Sequence, residues 1–285
     1  MVEPDALLSA PVDDLAPLPL AQASAECLAP FLSLRRAKGL ERSGRFVAEG
    51  GKVVQRLLAS PHPVEAVLLT PDWLERLRPV LLARQPRPRV VLAPDREAVT
   101  RLTGFHERAG LKALGRLAQR PSLEGLLAPR GRPRLLVALD GITNAENVGV
   151  VVRNAAAFGV DGLLVGETAC SPFLTRAIGA SMGASFVVPV VEDMPLVAAL
   201  ARVRAAGLRV LATEPEAVDS PVERAGLAGD TCLVLGAEGE GISAAVRACC
   251  DGAVSVPMPS TVDSLNVSSA AAVFLYEAWR QRRTR

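Results

Sequence analysis

From residue 134 onward the chain alternates short, nearly uninterrupted apolar runs with stretches in which apolar residues return every three or four positions. The runs at 135–139, 162–165, 186–191, 208–213, 232–235 and 253–257 predict strands. The stretches at 148–158, 172–181, 194–206, 242–248 and about 264–280 predict helices. Strands that are apolar on both sides need cover on both faces, which implies a parallel sheet with helices above and below. Residues 134–285 are therefore expected to form a doubly wound α/β domain. Ligands in such sheets bind beyond the carboxyl ends of the strands, so polar and glycine-rich segments placed there are the candidates for chemistry.

A smaller block covers about 28–118. Apolar runs at 64–70 and 89–93 alternate there with helical patterns at 51–59, 71–83 and 96–103. Residues 1–27 are acidic and rich in proline and alanine, and read as a flexible lead-in. Residues 119–133, with three prolines, two glycines and three arginines, read as a linker. There is no internal repeat.

Composition narrows the class. Of the 285 residues 49% are hydrophobic and 22% charged, which excludes a wholly disordered chain. No stretch reaches the roughly 18 uninterrupted apolar residues of a membrane span. The start carries Glu3, Asp5, Asp13 and Asp14 and no basic residue before Arg35, unlike a secretory signal, so a cytoplasmic protein is expected. Five scattered cysteines and two histidines, His62 and His106, give neither a disulfide framework nor zinc-ligand spacing, and no metal is expected. Neither histidine stands near a recognisable nucleophile motif.

Net charge is only +2, but all of the 32 basic residues except Lys38, Lys52 and Lys112 are arginines. Arginine's planar fork suits phosphate. Basic residues cluster at Arg35, Arg36, Lys38 and Arg42, at Arg130, Arg132 and Arg134, and at Arg280, Arg282, Arg283 and Arg285. Each cluster is either a solvated surface run or a phosphate contact.

Three segments follow predicted strands. The first runs from Asp140 through Asn144, Asn147 and Gly149 to Arg153 and opens a helix. Asn144 and Asn147 suit turn or cap positions, and Gly149 suits a close packing contact. Arg153 ends the apolar run 148–152 and is expected to be buried, where a guanidinium needs an anionic partner or a ligand. The second segment, 233–243, is a strand ending in the glycine-rich turn Gly236–Gly241. It spells G-x-x-G-x-G, neither the dinucleotide fingerprint nor a P-loop. Its Glu238 and Glu240 would repel phosphate and suit a cationic ligand, although an ordinary strand-to-helix turn also explains it. The third, 254–268, leads into the last helix, and Asp263 or Ser264 as N-cap explains its polar residues by itself. A dinucleotide-binding oxidoreductase would need G-x-G-x-x-G after the first strand, which is absent.

Together, in this order and spacing, the three segments resemble the motifs of the SpoU/TrmH family of the SPOUT superfamily, RNA ribose 2′-O-methyltransferases. The resemblance spans roughly 134–285. It rests on Asn144, Asn147, Gly149, Arg153 and Ala155; on Gly236, Glu238 and Gly241; and on Val256-Pro-Met followed by Ser264-Leu-Asn-Val-Ser. Ala145 and Asp263 depart from the residues most common at their positions. A weaker match at 45–54 resembles the family's small L30e-like substrate-binding domain.

The resemblance implies a C-terminal trefoil knot, an exception to the rule that chains avoid knots. It implies S-adenosylmethionine held by Gly236, Val256, Met258 and Leu265, and a catalytic set of Arg153, Asn147, Glu238, Ser264 and Asn266. Arg153 would act either as general base or by electrostatic stabilisation, with Asn147 and Glu238 orienting it. It further implies a homodimer, for which the last helix offers Ala271, Phe274, Leu275 and Ala278, a face equally suited to core packing. RNA would be gripped by the first block through Arg35, Arg36, Lys38 and Arg42. Ribosomal RNA is the favoured substrate; transfer RNA, or a non-catalytic RNA-binding assembly factor of the same fold, are the alternatives.

Overall fold

The computed structural model describes residues 15–32, 40, 43–104, 109–192, 194–259 and 264–283. Two sheets organise them. The first contains β1 (Leu18–Pro19), β2 (Arg45–Glu49), β3 (Val64–Leu69), β4 (Arg89–Leu92) and β5 (Leu111–Arg116), in the order β1-β4-β3-β5-β2. β1, β4 and β3 are parallel, whereas β5 is antiparallel to both β3 and β2. Helices α1 (Ala25–Leu28), α2 (Gly51–Ala59), α3 (Pro71–Ala83) and α4 (Arg96–Thr103) complete this unit.

Part of the expected flexible lead-in is thus structured. Leu18 and Pro19 pair with Val91 and Leu92, and Leu15 and Cys27 are buried. The expected linker also contains a helix, α5 (Leu123–Leu127), capped by Ser122. Leu123 and Leu126 are buried beneath the second sheet. Gly162 makes room for this contact, since a Cβ there would lie 2.6 Å from Leu126.

The second sheet contains β6 (Leu135–Leu139), β7 (Gly162–Val165), β8 (Val190–Val191), β9 (Arg209–Thr213), β10 (Thr231–Leu235) and β11 (Gly252–Val254). Its order is β11-β9-β10-β6-β7-β8 and every pair is parallel. Strand alternation divides the core. Leu135, Val137, Leu139, Leu233 and Leu235 face α6 (Ala145–Ala157), α7 (Thr175–Ala180) and α10 (Val267–Arg283). Leu136, Ala138, Cys232 and Val234 face α5, α8 (Leu196–Ala205) and α9 (Ala244–Arg247). β6 and β10 are buried on both sides along their whole length, which is why they read as continuous apolar runs.

The run 186–191 yields only the short β8. Met182 and Gly183 take positive φ, and a single helical turn at Ala184–Phe186 precedes the strand. That turn is where the two units meet. Phe46 of β2 stacks on Phe186 at 5.4 Å and lies 5.8 Å from Phe173. Arg56 of α2 donates to the Met182 carbonyl. Gly115 of β5 gives Phe46 its space, because a Cβ there would come within 2.5 Å of the ring. Among the described residues no helix is long and apolar enough to cross a membrane.

The described residues of two basic clusters are structural, and Arg285 lies outside the described residues. Arg130 and Arg132 pair with the buried Asp161, and Arg134 pairs with Asp230. In the last cluster Arg280 pairs with Glu277, and Arg283 lies over the Trp279 ring at 4.5 Å. Arg282 donates to the carbonyls of Leu227, Pro133, Arg134 and Gly229, fastening the end of α10 to the start of the domain.

Candidate functional site

Beyond the carboxyl ends of β9, β10 and β11 lies a cleft of about 390 Å³, within the usual size of a small-molecule site. Its walls come from three loops and the start of α10. The loop after β9 contributes Thr213, Glu214, Pro215 and Glu216, and the turn after β10 contributes residues 236–242. The third loop brings Val256, Met258, Ser264 and Leu265, and α10 adds Val267, Ala270 and Phe274. Leu265 is 39% exposed, a large apolar side chain held open at the cleft.

The turn depends on its glycines. Ala237 and Gly241 exchange two backbone hydrogen bonds of 3.0 Å, and Gly241 has φ +69°. This folds the turn back on Gly236, where a Cβ would lie 2.5 Å from the Ile242 nitrogen. Asp140, buried at the end of β6, accepts the Ser243 N–H at 2.7 Å and so anchors the far end of the turn to the central strand. The cleft's lining combines an apolar wall of Val256, Met258, Leu265 and Phe274 with the carboxylates of Glu214, Glu216, Glu238 and Glu240. Of these Glu214 is paired with Arg247 at 2.8 Å. An apolar wall beside unbalanced negative charge suits a ligand with a flat apolar part and a positive centre.

Helix α6 borders this cleft. Asn144 caps it, accepting from the backbone of Glu146 and Asn147. Gly149 lets α7 approach, since a Cβ there would be 2.7 Å from the Ala180 Cβ. Asn147 donates to Glu238, and Asn266 donates to Asn147 at 3.4 Å. Asn266 also caps α10, its Oδ1 accepting the Ser268 N–H at 2.9 Å and the Ser268 hydroxyl at 2.6 Å. The cap is therefore Asn266. Ser264 lines the cleft instead, and Asp263 lies outside the described residues.

Arg153 departs from expectation. The buried stripe of α6 is Val148, Val151, Val152 and Ala155, an i, i+3, i+4, i+7 pattern that turns residue 153 outward. Its side chain is exposed and makes no hydrogen bond or ion pair among the described residues. Asn147 and Glu238, expected to orient it, bond to each other. An exposed guanidinium can meet an anionic ligand arriving from solvent.

The structure thus gathers Gly236, Val256, Met258, Leu265, Glu238 and Ser264 around one cleft, with Asn147 and Asn266 hydrogen-bonded at its edge. Arg35, Arg36, Lys38 and Arg42 lie outside the described residues. Sequence reasoning missed Asp140, Glu214 and Glu216. Asp140 and Glu214 directly follow apolar strands and Glu216 lies three residues beyond β9, the placement that marks sites in parallel sheets. The five cysteines are free thiols, and Cys170, near Glu192 and Glu238, has its pKa pushed up to about 11 by burial first and those charges second. Among the described residues no group of three or more His, Cys, Asp or Glu is placed to hold a metal ion.

The model of the SpoU rRNA methylase family matches residues 134–276. The chain is 34% identical over 241 residues to an uncharacterized tRNA/rRNA methyltransferase of Mycobacterium tuberculosis, covering 82% of this chain and 80% of that protein. It is 32% identical over 245 residues to the 23S rRNA (guanosine-2′-O-)-methyltransferase RlmB of Shewanella oneidensis, covering 81% of this chain and 99% of that protein. Among solved structures it resembles the SpoU methyltransferase AviRb of Streptomyces viridochromogenes in complex with the cofactor AdoMet. The TM-score is 0.74 at 27% identity, over 86% of this chain and 94% of that one.

Proposed function

The chain belongs to the SpoU rRNA methylase family, and on that premise we propose that the cleft and the exposed Arg153 together form the site of an S-adenosylmethionine-dependent RNA ribose 2′-O-methyltransferase acting on ribosomal RNA. The carrying observation is convergence. Residues of the second and third motifs line one cleft, and the first motif, on the helix bearing Arg153, is hydrogen-bonded to its edge through Asn147.

The chemistry of the cleft fits the cofactor. Gly236 leaves bare backbone, the apolar wall of Val256, Met258 and Leu265 suits an adenosine, and the carboxylates complement a sulfonium and an ammonium. When bound, S-adenosylmethionine supplies an activated methyl group. The chain's own residues bind, orient and stabilise. A guanidinium is unsuited to act as a general base in a protein. The role of Arg153 is electrostatic: it holds the phosphate next to the target ribose and stabilises the negative charge that develops on the 2′-oxygen as its proton passes to water. Glu238 and Asn147 hold the glycine turn against α6, and Asn266 sets the start of α10.

The same proposal includes the trefoil knot. β10 enters the sheet between β6 and β9, both earlier in sequence, and the following α10 packs back on the α6 side of the sheet. It includes an L30e-like N-terminal RNA-binding domain ending near residue 118, in keeping with the mixed five-stranded sheet. A cytoplasmic place of action goes with a ribosomal RNA substrate. It also includes a homodimer, through a face other than the one expected. Ala271, Phe274, Leu275 and Ala278 are all core residues, 0–3% exposed. The outer side of α10 carries Val273 and Tyr276, 38% and 50% exposed, with Trp279 and Phe158 packed beside Tyr276. That apolar patch suits a second copy.

The test is calorimetric titration with S-adenosylmethionine, then methyl transfer to unmethylated ribosomal RNA and transfer RNA in parallel. Binding with transfer to ribosomal RNA is the expected result. Transfer to transfer RNA alone would move the substrate, and absence of binding would overturn the proposal.

A further inference from the structure

We infer that Asn154 is a positioning residue for methyl transfer, fixing the helix that carries Arg153 against the segment that walls the cleft, an inference that rests on the function proposed above. Two asparagines of α6 reach the start of α10. They are Asn147 and Asn154, seven residues and so nearly two whole turns apart, which puts them on one face of the helix. The upstream contact is long, 3.4 Å between Asn266 and Asn147. The downstream one is a full hydrogen bond, with Asn154 Nδ2 donating to the Ser268 carbonyl at 2.9 Å in a half-buried position.

Each partner of that bond adjoins working residues. Arg153 immediately precedes Asn154. Ser268 is the residue that Asn266 caps, and Ser264 and Leu265 of the cleft wall stand just upstream. One bond therefore ties the guanidinium's helix to the cleft's wall. In-line transfer depends on the spacing of donor and acceptor, and a misplacement of about 1 Å costs on the order of 10²-fold in rate.

Asparagine in a helix interior is a poor choice for helix stability, because its side chain competes for backbone hydrogen bonds. Alanine at 154 is the better helix former. The Ser268 carbonyl, inside α10, keeps its intrahelical bond without Asn154. Removing the amide therefore loosens the alignment of the two helices without costing the fold.

The experiment compares the full-length wild type with Asn154→Ala and Asn154→Asp. Asn154→Ala is expected to keep its melting temperature and its cofactor affinity. Its single-turnover transfer should fall by roughly 10- to 100-fold. Amide hydrogen exchange at residues 266–270 should speed up in the absence of RNA and cofactor. Asn154→Asp turns a carboxylate toward the Ser268 carbonyl and should be slower still at neutral pH. It should recover relative to Asn154→Ala below about pH 5, where a protonated carboxyl donates. Wild-type transfer by Asn154→Ala, unchanged exchange, or a rate loss matched by equal losses of stability and cofactor affinity would each overturn the inference. A wild-type chain that transfers no methyl group would overturn both the inference and the function beneath it.

Discussion

The side-chain amide of Asn147 donates to the carboxylate of Glu238, joining two segments 91 residues apart in sequence. One is the first turn of α6 and the other is the glycine turn that walls the cleft. Because they act as one unit, their substitutions are expected to be non-additive. Asn147→Ala and Glu238→Ala should each slow transfer, and the double variant should be little worse than the poorer single one. A cycle of transfer rates is expected to give a coupling of about 0.5–3 kcal/mol. Additive losses would mean that the two residues work separately.

Gly236 tests the cleft without touching the arginine. An added methyl group meets the backbone of Gly241 and Ile242, which cannot move without opening the turn. Overpacking of this kind costs about 1–3 kcal/mol. Gly236→Ala should therefore weaken S-adenosylmethionine binding by roughly 10- to 100-fold, measured calorimetrically. Unchanged affinity would remove the turn from the cofactor site.

Much of this was legible in the sequence. β6 and β10 read as strands because both faces of each are buried, and the i, i+3, i+4, i+7 stripe of α6 was present in the residues themselves. That stripe also excludes Arg153 from the core, so its expected burial came from weighing the apolar run above the helical period. β5 was missed because Lys112 and Gly115 interrupt its apolar pattern. Their reasons lie elsewhere in the fold, a pairing with Glu49 and the space that Phe46 requires. The first of these partners is 63 residues away, too far for local pattern to reveal. The helix inside the expected linker was hidden in the same way. Only Leu123 and Leu126 report it, and they need the second sheet to be buried against.

The junction between the two units is expected to weaken in mild acid. The His62 imidazole lies 5.9 Å from Phe46 and 6.1 Å from Phe186. Burial pulls its pKa below the ordinary 6.5, opposed by a bond to the Phe186 backbone and aided by the Arg84 charge. A depressed folded value means the unfolded chain takes up the proton first. The stabilisation is thus complete above about pH 6.5 and is lost as pH falls through the lowered folded value. Melting temperatures at pH 7.5 and 5.5 should differ more for wild type than for His62→Asn. Equal differences would contradict the assignment.

The proposed dimer rests on Tyr276 and its neighbours, so Tyr276→Glu should convert a dimer to a monomer of 29.9 kDa in sedimentation. The substituted side chain is exposed within one protomer, and melting of the monomer should change little. A wild-type monomer, or a variant that stays dimeric, would place the interface elsewhere.

Arg153 carries the central claim. Its guanidinium is exposed and has no partner among the described residues, so its truncation leaves nothing unpaired in the fold. The decisive measurement is nucleoside mass spectrometry of unmethylated ribosomal RNA incubated with S-adenosylmethionine and either wild type or Arg153→Ala, with cofactor affinity measured alongside. Wild type should yield a 2′-O-methylated nucleoside. Arg153→Ala should bind the cofactor as tightly and lose transfer by about 10²-fold or more. A base-methylated product, or an Arg153→Ala variant that methylates ribose at the wild-type rate, would contradict the account.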